Sequence, residues 1–201
     1  MTKAKIGRPR SEKAQEAILN ATHDLLHETK GTALTIEAIA KRAEVGKPTI
    51  YRWWPTLADI VLETLLRQAE TDIPVPPFDS LRATLRRFLG QSIRSLVDGN
   101  GVHLRFLMAQ AQKDEAFRQR FRDNFVAKRR AALNSIFLRA AEQGQLGPGD
   151  NPELLVDIVF GAMWYRLLTG HAVMDEAFAE ELTELVVRSV QASPAPQRMG
   201  S

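Results

Sequence analysis

The chain has 201 residues, of which 44% are hydrophobic, so it can bury a core without covalent or metal staples. It contains no cysteine and four histidines, which excludes disulfides and thiolate metal sites and argues against a zinc-dependent fold. The net charge is only +3, but four cations and no acid occupy the first ten residues, so any nucleic acid is expected to meet the N-terminal end.

The predicted elements are all helical. Apolar residues recur at helical spacing through almost the whole chain, and no segment alternates as a strand would. The pattern therefore predicts an all-α fold of about nine helices. In approximate bounds they are 11–30, 35–43, 47–54, 56–71, 80–97, 102–112, 114–143, 152–168 and 175–191.

A proline-rich stretch interrupts the helices. Residues 73–77 read IPVPP and cannot be helical, because proline lacks the amide proton and restricts the residue before it. We therefore predict a hinge here between a smaller N-terminal domain and a larger C-terminal one. No run approaches the roughly 18 apolar residues of a membrane helix, and the N-terminus lacks the apolar core of a signal peptide, so we expect no membrane contact.

Two short helices joined by a three-residue turn stand out in the N-terminal part. They read LTIEAIAKRA (34–43) and KPTIYRWWPT (47–56), with EVG between them. These residues strongly resemble the DNA-binding signature of the TetR (tetracycline repressor-like) family. The resemblance implies a DNA-binding helix-turn-helix followed by a helical bundle that binds an effector and dimerises. The predicted segments are a basic flexible arm (1–10), a helix-turn-helix domain (11–72), an effector-binding and dimerisation domain (78–192) and a disordered tail (193–201).

The resemblance also implies which residues touch DNA. The predicted phosphate contacts, which position the protein, are Thr35, Tyr51 and Trp53. The predicted base contacts, which specify the operator, are Lys47, Thr49 and Arg52. Arg42 is expected to reach backbone or base, and Pro48 opens the recognition helix within the same interface. Trp54 matches the family's buried aromatic residue, whereas a buried Trp53 remains an alternative to a DNA contact.

Three residues depart from the family pattern. Glu44 stands where a turn glycine is usual, Gly46 replaces a capping Ser or Thr, and Leu57 replaces a Lys that supports the phosphate grip. The turn geometry and the part played by the fourth helix therefore stay open. The alternative function is a helical ligand-binding protein that has lost sequence-specific DNA binding.

The segment before the first helix reads IGRPR (6–10) and resembles the Gly-Arg-Pro core of minor-groove hooks. Its proline favours an extended backbone, which predicts an arm that places Arg8 and Arg10 in a narrow minor groove. A disordered solubilising tail is the alternative.

The helix at 152–168 is apolar nearly all the way round, so both of its sides must be covered. One side is expected to face the domain's own core and the other a second subunit, together with the last helix. The predicted dimer interface consists of Leu155, Val159, Met163, Phe178, Leu182, Leu185 and Val186.

The helices between 80 and 143 carry the aromatic residues that the resemblance assigns to an effector pocket. The candidate pocket residues are Phe88, Phe106, Met108, Phe121, Phe125, Phe160, Met163 and Trp164. Plain core packing is the alternative for each. A pocket of this kind is mostly apolar, and Arg105, Arg166 or His103 is a candidate to orient an anionic group. Ligand binding is expected to release DNA by a population shift.

No catalytic constellation is apparent. His23 and His27 have the i, i+4 spacing of a helical zinc motif, but the sequence offers neither a third ligand nor the general-base Glu. Residues 144–150 are glycine-rich without a P-loop Lys. We therefore expect no enzyme, no cofactor and no metal. The expected partners are double-stranded DNA with a palindromic operator, a second copy of the chain and a small effector, in the bacterial cytoplasm and on the nucleoid when bound.

Overall fold

A computed structural model of the protein describes residues 8–29, 34–72 and 74–191 and the side chains of 12–29, 34–67 and 74–190. These residues form helices and no strand, which confirms the predicted all-α fold. The helices are α1 (Arg8–Thr29), α2 (Ile36–Arg42), α3 (Lys47–Tyr51), α4 (Leu57–Asp72), α5 (Leu81–Ser95), α6 (Gly101–Ala111), α7 (Glu115–Phe121), α8 (Ala127–Glu142), α9 (Pro152–Thr169) and α10 (Glu176–Gln191). None of the described helices combines the length and the apolar character needed to cross a membrane.

The chain divides into two compact units. Unit 1 comprises Met1–Gln68 and Val102–Phe121, and unit 2 comprises Ala69–Gly101 and Arg122–Ser201. Residues 74–80 are not helical, as their prolines require. The helices α6 and α7 pack with the N-terminal helices, although they lie beyond the proline-rich stretch in sequence. That residues 11–72 and 78–192 form separate domains stays a prediction.

Two π-helical turns lie where the chain passes between the units. Leu96–Asn100 joins α5 to α6, and Arg122–Val126 joins α7 to α8. The described helices therefore group into eight helical segments. The first turn is kinked at Gly99, which has a φ of 139°, a conformation that glycine adopts without steric cost. A Cβ at Gly101 would lie 2.6 Å from the carbonyl oxygen of Leu96, so the backbone itself requires glycine there.

The N-terminal helix begins earlier than predicted. α1 starts at Arg8, so the backbone of Arg8 and Arg10 is helical, and the prediction that these residues belong to an extended arm is wrong. Pro9 is compatible with this because the first turn of a helix needs no amide proton from it. The rest of the predicted arm (1–7) and the predicted tail (193–201) lie outside the described residues.

The core of unit 2 is built from α5, α8, α9 and α10. It contains six of the seven residues predicted for the dimer interface, which corrects that prediction: Leu155, Val159, Met163, Phe178, Leu182 and Val186. Leu185, the seventh, is 54% exposed. The face of α9 that remains open is a different apolar stripe, formed by Leu154, Ile158, Tyr165 and Leu168.

The turn between α2 and α3 is a Schellman motif. The N–H of Val45 donates to the carbonyl oxygen of Ala40 at 3.0 Å, and that of Glu44 donates to Lys41 at 3.4 Å. Such a turn needs a left-handed residue, and Glu44 has φ 54°. It is the one non-glycine residue with positive φ in the described part of the chain, and the conformation costs roughly 1–2 kcal/mol with a Cβ present.

Glu44→Gly should therefore stabilise the protein. Removing the left-handed strain outweighs the extra entropy of glycine in the unfolded chain, for a net gain of about 0.5–1 kcal/mol in the free energy of unfolding. Urea denaturation followed by circular dichroism measures it. Ala43→Gly is the matched control, because Ala43 has an ordinary φ of −82° and its replacement should lower stability by about 0.4–1 kcal/mol. Equal effects of the two substitutions would contradict the strain argument.

Candidate nucleic-acid interface

Helix α3 presents a polar face and buries an apolar one. Lys47, Tyr51 and Arg52 are exposed and Thr49 is half-buried, whereas Ile50 is fully buried. Proline in the first turn fits because those amide protons have no partner inside the helix. Gly46 occupies the N-cap position and supplies no side-chain cap, so the departure from Ser or Thr removes one hydrogen bond from this end. The side chains of the predicted base-reading residues are thus at least partly accessible to solvent.

The two neighbouring tryptophans after α3 have different environments. Trp54 is 3% exposed, as predicted, and its indole Nε1 donates a hydrogen bond to Oε2 of Glu63 on α4 at 2.6 Å. The other oxygen of Glu63 accepts from Gln15 on α1 at 3.0 Å. Trp53 is 40% exposed. Trp54 therefore ties the end of α3 to α1 and α4, and Trp53 remains accessible to a partner.

Helix α2 begins at a polar N-terminus. Thr35 is its N-cap residue, and the Thr35 Oγ1 accepts a hydrogen bond from the backbone N–H of Ala38 at 3.1 Å. Its hydroxyl proton can still be donated to a phosphate oxygen. Because the first amide groups of a helix also carry a partial positive charge, this end of α2 suits an anion.

Two of the predicted DNA-binding cations pair with carboxylates of the same unit. Arg42 donates to both oxygens of Glu28, at 3.0 Å and 2.8 Å, and Lys47 donates to Glu37. The hydrogen bond from Arg42 lowers the pKa of Glu28, and that from Lys47 lowers the pKa of Glu37. Both pairs are exposed to solvent and weak, so a phosphate or a base can displace either carboxylate. Neither acid can be identified from the sequence, because each pairs with its cation across two helices.

The start of α4 contributes no cation. Thr56 caps the helix by accepting from the backbone N–H of Asp59 at 3.2 Å, and its hydroxyl donates back to that carboxylate at 2.7 Å. Asp59 in turn accepts from Arg120 on α7 at 2.9 Å. Leu57 is half-buried, so the position where the family often has Lys is used for packing.

The predicted effector-pocket residues are divided between the two units. Unit 1 contains Phe106, Met108 and Phe121. Unit 2 contains Phe88, Phe125, Phe160, Met163 and Trp164. Two clefts of unit 2 lie at the start of α5 beside the loop at 144–147 and along α5 beside the start of α10. None of the eight residues lines either cleft, so the pocket remains a prediction.

The three cationic or polar anchors suggested for an anionic effector lie in different settings. Arg105 is exposed, and Arg166 donates to the carbonyl oxygen of Val173 at 2.8 Å. The guanidinium of Arg166 also lies over the ring of Phe178, 3.7 Å from the ring centroid. His103 is buried among other histidines in unit 1.

The neighbouring tryptophans give a matched test of this interface. Trp54→Phe removes the donor to Glu63 and should lower the free energy of unfolding by about 1–3 kcal/mol. Trp53→Phe changes an accessible ring that carries no such bond, so its effect on stability should stay within about 0.5 kcal/mol. Thermal denaturation of both variants measures the difference. Equal destabilisation would show that the Trp54–Glu63 bond does not hold the end of α3.

Comparisons with known proteins agree with this arrangement. Residues 18–64 match the family model of bacterial regulatory proteins of the tetR family, and residues 75–186 match the tetracyclin repressor-like C-terminal domain. The HTH-type transcriptional regulator YdeS of Bacillus subtilis (strain 168) is 31% identical over 196 residues, which are 98% of this chain and 99% of the relative. AqdR, an HTH-type transcriptional regulator of Rhodococcus erythropolis, is 24% identical over 148 residues, or 73% of this chain and 70% of AqdR.

Solved structures share the fold. The TetR family transcription regulator SCO0332 matches with a TM-score of 0.73 and 28% identity, over 90% of this chain and 100% of that chain. FadR of Bacillus subtilis, solved in complex with stearoyl-CoA, matches with a TM-score of 0.67 and 18% identity, over 86% of this chain and 97% of that chain. The family models and relatives describe transcription regulators and not enzymes. The chain belongs to the TetR family of bacterial DNA-binding transcription regulators.

Proposed function

We propose that the protein is a homodimeric repressor that reads a palindromic operator with α3 and releases it when a small, largely apolar ligand binds. The observation that carries the proposal is the accessibility of Lys47 and Thr49 on α3 and of its C-cap residue Arg52, while Ile50 of the same helix is buried. Such a helix fits a major groove about 12 Å wide. The compartment that follows is the cytoplasm, where the DNA lies.

Each of these accessible residues has a chemistry suited to its proposed role. Lysine and arginine donate to guanine O6 and N7, and the threonine methyl packs on the thymine methyl. The phenol of Tyr51 and the indole N–H of Trp53 are exposed donors that suit phosphate oxygens. Sequence readout therefore rests on Lys47, Thr49 and Arg52, and Tyr51 and Trp53 hold the helix in register.

The retained turn favours this function over a ligand-binding protein that no longer reads DNA. Glu44 keeps the left-handed conformation that the family pattern gives to glycine, despite its strain. The geometry of the α2–α3 turn is thus kept although Glu44 replaces the usual glycine. Arg8 and Arg10 remain proposed contributors to DNA affinity, now as part of the first turn of α1.

Selection of duplexes from a random library at about 150 mM salt tests operator binding, since non-specific affinity is weak there. We expect a palindrome with half-sites about one helical turn apart.

The triple variant Lys47→Ala, Thr49→Ala, Tyr51→Phe should lower affinity for that palindrome by at least about 100-fold while the thermal midpoint stays near that of the parent protein. Lys113→Ala is the matched control and should bind normally. It removes an exposed cation from the turn between α6 and α7 in the same unit. Recovery of no motif, or normal binding by the triple variant, would exclude the proposed readout.

The exposed stripe of α9 is the proposed dimer surface. Members of this family dimerise. Leu154, Ile158, Tyr165 and Leu168 recur at helical spacing on the side of α9 that its own core leaves open, and Gly161 between them leaves space for close approach. Leu185 of α10 is the one originally predicted interface residue that is exposed in the same way. Covering such a stripe with its symmetry mate removes apolar surface from water.

Charged substitutions on the stripe should dissociate the dimer. Ile158→Glu combined with Tyr165→Glu places four carboxylates in a two-fold interface, so sedimentation velocity at micromolar concentration should show a monomer. Val173→Glu is the matched control, because Val173 is exposed and apolar but lies in the loop after α9. A double variant that sediments as a dimer would show that another surface pairs the subunits.

The ligand is proposed to bind in unit 2. Its interior holds Phe88, Phe160 and Met163, and Arg129 places its guanidinium 5.0 Å from the centroid of Phe88. Burial lowers the pKa of Arg129 to about 10. A cation set among aromatic rings suits an apolar molecule with an anionic group. The complex of FadR with stearoyl-CoA shows that a protein of this fold accepts a molecule of that character.

A further inference from the structure

Three of the four histidines of the chain meet in unit 1. His23 and His27 lie one turn apart on α1, and α6 brings His103 against them. The ring centroids are 4.4 Å apart for His23 and His27, 5.3 Å for His23 and His103, and 5.6 Å for His27 and His103. A third ligand is not apparent in the sequence, because His103 meets the pair only through the packing of α6 beside α1.

The spacing of the ring nitrogens fits a shared ion after small side-chain rotations. One nitrogen from each ring lies within 4.8 Å of the other two. A tetrahedral ion with metal–nitrogen bonds of about 2.0–2.1 Å holds its ligands about 3.4 Å apart. His23 and His27 are half-buried and come from a single helix, which fixes two ligands relative to each other.

The burial of the cluster suits a ligand held by its ring nitrogens. His103 is fully buried, and the Nε2 atom of His27 is buried with no hydrogen-bond partner among the residues that the structure describes. A buried polar atom without a partner is rare in folded proteins. An unprotonated imidazole nitrogen is the group that coordinates a metal ion.

We propose that His23, His27 and His103 bind one divalent transition-metal ion of the zinc type, with a fourth position left for water or an external ligand. An all-imidazole set suits Zn²⁺, Co²⁺, Ni²⁺ and Cu²⁺, whereas Mg²⁺ and Ca²⁺ require oxygen ligands. The ion connects α1 with α6, two segments of unit 1 that are far apart in sequence. Bound metal therefore stabilises the folded DNA-binding unit against unfolding. This site is independent of the proposed operator and effector.

Zn²⁺ alone is the probe, added to chelator-treated full-length protein. Isothermal titration calorimetry should show one Zn²⁺ per chain, and saturating Zn²⁺ should raise the thermal midpoint. His23→Ala and His27→Ala should each weaken binding by at least about tenfold. His171→Ala is the matched control because it removes the only histidine outside the cluster, and it should bind like the parent protein. The absence of cysteine leaves no thiolate to compete for the metal.

Co²⁺ provides a second reading that does not depend on a variant folding. The parent protein should give the visible absorption of a four-coordinate Co²⁺ ion with nitrogen ligands, and Zn²⁺ should displace it. Circular dichroism identifies any variant that fails to fold, and that variant is replaced by the corresponding Asn substitution. The proposal is overturned if the parent protein binds no Zn²⁺, or if His23→Ala and His27→Ala bind it as tightly as His171→Ala does.

Discussion

The recognition helix α3 has five residues, and a helix of one turn has no stability of its own in water. Its conformation depends on the contacts at its two ends. The Schellman turn at Glu44 fixes its start, and the bond from Trp54 to Glu63 fixes its end against α4. Ile50 holds the middle by burial. The orientation of the helix that carries every proposed base contact follows from these three constraints.

Local patterns in the sequence were enough to predict this part of the fold. Thr35 is an N-cap and Ile50 packs inward, as the capping preference and the helical period indicate, and Trp54 is buried, as the resemblance to the family implies. The partners of the cations could not be predicted in the same way. Glu28 and Glu37 pair with Arg42 and Lys47 across helices, and such pairing depends on the packing angle and not on the spacing along one helix.

Six of the seven predicted dimer residues lie in the core of unit 2 for a different physical reason. α9 is apolar on nearly every side, so its periodicity has no phase, and the inward residue Leu155 cannot be distinguished from the outward residue Leu154 in the sequence. α1 begins before the predicted residue 11 because its first turn accepts Pro9, which the sequence pattern treats as a helix breaker. The grouping of α6 with the N-terminal helices, and with it the meeting of His103 with α1, depends on long-range packing that no local pattern carries.

The ion pairs of the free protein bear on how the regulator searches a chromosome. Lys47 and Arg42 already have carboxylate partners before any DNA arrives. In the proposed complex a DNA phosphate or base replaces the carboxylate at each cation, and this small cost is the same on every duplex because both pairs are exposed and weak. The operator offers more than charge, since guanine edges and thymine methyls add contacts that a carboxylate cannot supply. Preference for the operator therefore comes from those added contacts, whereas the two ion pairs lower the affinity for all duplexes alike.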